Sequence, residues 1–146
     1  MNENLRNFGR KKAEEAVFRD IEDWKHTFDA VPDLIAILDT EFRVVRANNS
    51  MAAILGITPK ECIGLTCYRI VHGMDEPPFF CPHRQLFNDS LEHTVEICED
   101  SLGCYFIVSV SPLHDSKGKI TGCIHVARNI NERREAEETL KKHMII

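Results

Sequence analysis

The chain has 146 residues, 43% of them hydrophobic and 28% charged, with a formal net charge of −5. These values describe one globular domain with short extensions, long enough to bury a real core and too acidic to favour nucleic acid or an anionic membrane surface. No apolar run approaches the roughly 20 residues that cross a bilayer, and the polar N-terminus MNENLRNFGRKKAEEA has no apolar signal core; the expectation is a cytoplasmic chain with no membrane contact of its own.

Residues 10–29 show helical periodicity, with Val17, Ile21, Trp24 and Phe28 on one stripe and charged residues elsewhere. A helix carrying Trp and Phe must cover them, on the domain or on a second copy of itself, so these four are candidate dimer contacts. Pro32 ends the helix. Residues 33–38 predict a short apolar strand, Asp39-Thr40-Glu41 a turn, and Phe42–Arg46 a returning strand. Asn48-Asn49-Ser50 can cap a helix from Met51 to Leu55, which Gly56 ends. In Thr58-Pro59-Lys60-Glu61, the Thr and the Glu three residues on predict a capping box, with Pro in the first turn. Gly73 and Pro77-Pro78 predict a loop over 72–80, followed by a short helix His83–Asn88. Three strands come next, His93–Cys98, Cys104–Ser111 and Ile120–Ala127, joined by turns at Ser101-Leu102-Gly103 and Asp115–Gly118. They predict an antiparallel meander with Cys104, Phe106, Val108 and Val110 on its inner face. A charged helix, NINERREAEETLKKHMII, closes the chain. The order predicts an α+β fold, a five-stranded antiparallel sheet with short helices on one face and a helix at each end.

The stretch CYRIVHGMDEPPFFCPHRQLF, residues 67–87, gathers Cys67, His72, Cys81 and His83. These are candidates for a metal or redox site. The spacing C-x4-H-x8-C-x-H is irregular for structural zinc, whose ligands pair about two to four residues apart. A redox pair of Cys67 with Cys81 needs Cα atoms about 5–6 Å apart. Small buried thiols also serve as plain packing. None of the six cysteines sits in C-x-x-C, and reduced thiols are expected. There is no G-x-S-x-G, no phosphate-cradling glycine loop, no H-E-x-x-H and no kinase signature, so the chain reads as a binding and relay module rather than an enzyme.

Four stretches in sequence order, FDAVPDLIAILD, VVRANNSMAAILG, ITPKECIGLTCYRI and GCIHVARNINERREAEETL, resemble the PAS sensory domain over residues 25–135. The resemblance implies a connector helix at 1–29, a PAS domain at 30–130 and a signalling helix at 131–146. It implies a sensor or dimerisation module of a signalling protein, a histidine kinase or a GGDEF-type cyclic-dinucleotide enzyme, whose output domain lies outside this chain. A homodimer and a small-molecule ligand are the implied partners. With the family's strand parity, Cys67, Cys98, Phe106, Val108, Cys123 and His125 form the candidate ligand pocket, and Arg128, Asn129 and Ile130 the relay to the last helix. Asn129 and Asn131 stand where the family has Asp and Thr, so the ion pair that ties the outgoing helix is missing at position 129. The near repeats Arg10–Glu15 and Arg133–Glu138 flank the domain as connectors do in tandem arrays; good helix formers on an exposed face would look the same.

Three cofactors are weighed against that resemblance. Cys67 falls where light-oxygen-voltage domains carry their flavin-reactive Cys, but its neighbours Leu65, Thr66, Tyr68 and Arg69 differ, and the strand amides that hold a flavin are missing. His83 begins the helix that carries the haem ligand in haem-binding members, without a C-x-x-C-H motif. Haem, flavin and metal are each disfavoured. A ligand-free dimerisation scaffold, and a metal- or haem-dependent redox sensor using Cys67, His72, Cys81 and His83, remain as alternatives.

Overall fold

A computed structural model describes residues 3–99 and 104–144, without the side chains of Glu99 and Cys104. The turn at 101–103 lies outside the described residues. The chain divides into two units, 1–31 and 32–146.

The first unit is one helix, α1 (Glu3–Ala30), which begins seven residues before the periodic stretch. None of its residues is buried. Trp24 and Phe28, four residues apart, stack with ring centroids 5.0 Å apart.

The second unit holds a five-stranded sheet in the order β2-β1-β5-β4-β3. Its strands are β1 (Leu34–Asp39), β2 (Val44–Ala47), β3 (His93–Glu99), β4 (Cys104–His114) and β5 (Ile120–Asn129). Every neighbouring pair is antiparallel. The expected meander is there, and β1 joins it by lying along β5, with Leu34 opposite Ala127 and Asp39 opposite Gly122. A Cβ on Gly122 would fall 2.0 Å from the Leu38 carbonyl oxygen. Glycine there lets the β1 and β5 backbones approach.

Short helices cover one face: α2 (Asn49–Leu55), α3 (Pro59–Cys62), α4 (Cys67–His72) and α5 (Pro82–Asp89). Thr58 and Glu61 form the expected capping box. Asn48 caps α2, and its wholly buried side chain does more. Its Oδ1 accepts from the N–H of Ile35 (3.1 Å) and of Met51 (3.0 Å), and its Nδ2 donates to the Asp33 carbonyl (2.9 Å). One amide thus ties α2 to the start of β1. The core beneath the helices alternates along the strands: Leu34, Ala36 and Leu38 from β1, Phe106, Val108 and Val110 from β4.

The second strand starts two residues later than expected. Phe42 has φ 65°, a left-handed value uncommon outside glycine, and belongs to the turn. The Asp39 carboxylate accepts from the N–H groups of Glu41 and Arg43 and shapes that turn. The Phe42 ring packs edge-on against Tyr68, His83 and Phe87, which offsets the backbone strain. Helix α6 (Asn131–Met144) follows β5 directly.

Candidate functional site

Between the sheet and helices α4 and α5 lie two adjoining cavities of about 30 and 40 Å³, each with room for two or three waters. The first is lined by β1, β2 and α4, the second by β3, β4 and the flap residue Phe80. They share Met51, Val71, His72, Cys81, His83 and His125. The Pro77–Phe80 segment closes the site from outside: Pro78 is buried, Phe80 packs edge-on against His72, and Phe79 is 94% exposed.

The fold brings two candidate groups, which have Cys67 in common, into one place. His72, Cys81 and His83 of the candidate redox cluster line the same cavities as Cys67, Phe106, Val108 and His125 of the candidate pocket. Cys123 is wholly buried in β5. Cys98 is placed elsewhere. Side chains alternate along β3, and Ile97 turns to the cavity while Cys98 is exposed beside Phe79 and Phe80. A strand phase misjudged by one residue exchanges the two faces. Tyr68, Met51 and Val71 were missed; their helices are too short for a face to show in the sequence.

Three side chains from two places, the start of α5 and the middle of β5, form a chain of polar contacts. Cys81 Sγ lies 3.5 Å from His83 Nδ1, and His83 Nε2 lies 2.9 Å from His125 Nδ1. The two imidazoles overlap with ring centroids 4.9 Å apart. Pro82 starts α5 and sets His83 in its first turn, 4% exposed. His125 sits in the central strand, opposite Ala36 of β1 and Val110 of β4. Burial, with His125 and His72 nearby, holds His83 well below the usual imidazole range. Burial and then His72 lower His125 to about 4. Both rings are therefore neutral at pH 7. Burial first, then Cys81 and Cys123, pushes the Cys67 thiol up to about 12, and burial and Cys81 do the same to Cys123. Cys81 is raised too, chiefly by burial. Such thiols stay protonated at neutral pH, which makes them poor nucleophiles.

These features bear on the cofactors. Among the described residues, no group of three or more His, Cys, Asp or Glu is arranged to hold a metal ion. Both ring nitrogens of His83 are engaged, so a haem ligand there would have to break one of its contacts. Sites for drug-sized ligands and cofactors span about 300–1,000 Å³, so a haem or flavin would need the helical wall to move.

The sheet's other face grips α6. Glu96 of β3 pairs with Arg133 (2.9 Å) and Arg134 (3.2 Å). The Arg134 guanidinium lies 4.3 Å over the Tyr105 ring. Tyr105 N–H donates to Asn131 Oδ1 (2.8 Å), Ile130 N–H donates to the Tyr105 carbonyl (3.0 Å), and Asn131 N–H donates to Asn129 Oδ1 (2.9 Å). Charge that position 129 lacks is thus supplied by Glu96. Arg128 forms a two-point contact with Asp33, just before β1.

A family model described as the PAS fold matches residues 28–135. No curated protein matches the chain. Among solved structures, the PAS domain of Bordetella pertussis BvgS is 21% identical, with a TM-score of 0.61 over 88% of this chain and 98% of that one. The PAS domain of an HTR-like protein from Haloarcula marismortui is 18% identical, with a TM-score of 0.63 over 82% and 99%. VqmA, described as bound to DPO, is 19% identical, with a TM-score of 0.61 over 76% of this chain and 58% of that chain. A further VqmA structure, from Vibrio cholerae and described as a dimer, is matched over 51% of its length. The chain therefore spans little more than half of VqmA. At these identities the likeness is one of fold. No helix among the described residues is long and apolar enough to cross a membrane.

Proposed function

The chain belongs to the PAS fold family, and on that premise we propose that it is the sensory module of a signalling protein, binding a small molecule in the paired cavities and relaying the event through α6 to an output domain. One observation carries this reading. Strands β3 and β4 line the cavity with Ile97 and Phe106, and hold α6 with the adjacent residues Glu96 and Tyr105. A ligand that repacks Ile97 and Phe106 must differ in affinity between two strand positions, and that difference biases α6 through Arg128, Asn129 and Ile130. VqmA, described as bound to DPO and as a dimer, supports ligand binding and dimerisation by analogy. In this chain the dimer forms through Val17, Ile21, Trp24 and Phe28 of α1, where Val17 is 58% and Trp24 45% exposed. The family resemblance makes the output a histidine kinase or a cyclic-dinucleotide enzyme, and the two connector-like repeats support only a place in a tandem array ahead of it.

The test is a screen of small metabolites read by backbone amide shifts. A binder is expected to move cavity residues and also Tyr105, Asn131 and Arg134. A binder that moves the cavity alone overturns the relay. Native mass spectrometry of Trp24→Glu reads the interface, and a dimer that persists removes α1 from it. A ligand-free dimerisation scaffold is the second reading, favoured by the small cavity volumes; a dimer that binds nothing in the screen would establish it.

A further inference from the structure

The cavity lining limits what can enter. Among the described residues, no Asp, Glu, Lys or Arg lines either cavity, and the polar groups present are Tyr68, His72, His83, His125 and the thiols of Cys67 and Cys81. A charged occupant would lose its hydration and find no opposite charge. A wholly apolar occupant would cover polar atoms without bonding them. The lining suits a molecule between these extremes.

The Cys81–His83–His125 chain supplies the polar contact. A neutral imidazole has one N–H and one acceptor nitrogen, so the chain can run in two directions. In one, the Cys81 thiol donates to His83 Nδ1 and His83 Nε2–H donates to His125 Nδ1, which leaves His125 Nε2–H as a donor. In the other, His125 Nδ1–H donates to His83 Nε2 and His83 Nδ1–H donates to the Cys81 sulfur, which leaves His125 Nε2 as an acceptor. Both directions keep the observed spacings of 3.5 and 2.9 Å. His125 lines both cavities and its Nδ1 is engaged with His83, so Nε2 is the ring nitrogen left for an occupant. The cavities share Met51, an unbranched side chain that changes rotamer readily; a cavity of about 150 Å³ holds benzene, so a ring enters when Met51 and the helical wall beside it give way together.

We propose that the site takes a small uncharged molecule, apolar over most of its surface, that places one hydrogen-bonding atom on His125, and that the His83–Cys81 chain reverses its direction to accept either a donor or an acceptor there. The proposal rests on the ligand-sensing reading and narrows it to a chemical class.

Four probes of one ring size test it by calorimetry at pH 7.5: toluene, phenol as donor, benzonitrile as acceptor, and benzoate. Phenol and benzonitrile are expected to bind about tenfold more tightly than toluene, the worth of one hydrogen bond, and benzoate not measurably. His125→Phe should bring phenol and benzonitrile to the level of toluene in the same variant, since the polar anchor is lost. If that variant does not fold, side-chain nitrogen shifts of the wild type decide: phenol and benzonitrile should produce opposite tautomers of His125. Equal binding of toluene and phenol, or one tautomer with both polar probes, overturns the anchor. Tighter binding of benzoate overturns the uncharged class but leaves a ligand-sensing module. Binding of none of the four overturns this chemical class, and the sensing reading then stands or falls on the metabolite screen.

Discussion

Strands β3 and β4 have two faces that use opposite physics. Inward, Ile97, Phe106 and Val108 face a site whose titratable groups, among the described residues, are imidazoles, thiols and a phenol. Outward, Glu96 and Tyr105 hold α6 by exposed charge and backbone hydrogen bonds. The inner face owes its stability to burial, which is large and cannot be graded. The outer face owes its contacts to ion pairs about half exposed to water, which are weak and easily exchanged. The proposed relay, which moves the last helix of a firmly folded module, draws on both.

Truncating the inner face has the largest expected effect. Phe106 is 2% exposed, and Phe106→Ala should cost about 3–5 kcal/mol in denaturant unfolding. A cost near 1 kcal/mol would mean that the inner face is as loose as the outer. Acid acts on the same face. His125 is lowered from 6.5 to about 4 and His83 in the same direction. The unfolded chain therefore binds protons that the folded one refuses, and stability is full above pH 6.5 and falls as the pH drops toward 4. His72, Tyr68, Cys67 and Cys81 line the cavities beside the pair, and among the described residues no carboxylate lines them to counter the effect. For His125 the loss approaches about 3 kcal/mol at pH 4, and His125→Phe should remove most of that slope in a pH series of melts.

Asn48→Ala sharpens the comparison, because it asks what a polar group costs on the buried side. It removes the α2 cap and strands the Ile35 N–H, for about 2–3 kcal/mol in the same unfolding measurement. Glu96→Ala should have the smallest effect, about 0–1 kcal/mol on global stability. Its readout is local: amide exchange should quicken at Arg134, whose N–H donates to the Ile130 carbonyl, while Val108 stays protected. Equal quickening at both would mean that the two faces are not separable.

Local rules made much of the fold legible. Thr58, Pro59 and Glu61 give a helix start by themselves, and alternation along β4 separates Phe106, Val108 and Val110 from their neighbours. The β2 boundary failed because Phe42 takes a left-handed turn conformation that its side-chain type does not announce; only its packing against Tyr68, His83 and Phe87 makes that conformation tolerable. Cys98 was assigned to the inner face because the phase of an exposed edge strand, with few buried residues to fix it, is weakly written. The candidate site was legible as residues but not as an arrangement. Cys81 and His83 are neighbours in sequence, whereas His125 lies 42 residues beyond His83.

By itself, the sequence determined the α+β order, the helix caps, the antiparallel meander and the supply of neutral polar side chains, because each depends on neighbours within a few residues. Only the tertiary structure decided that β1 lies along β5, that Glu96 grips α6 in place of residue 129, and that His83 meets His125. Those contacts depend on chain closure over long loops, where backbone pairing and burial of the whole sheet choose the partner and no local signal does.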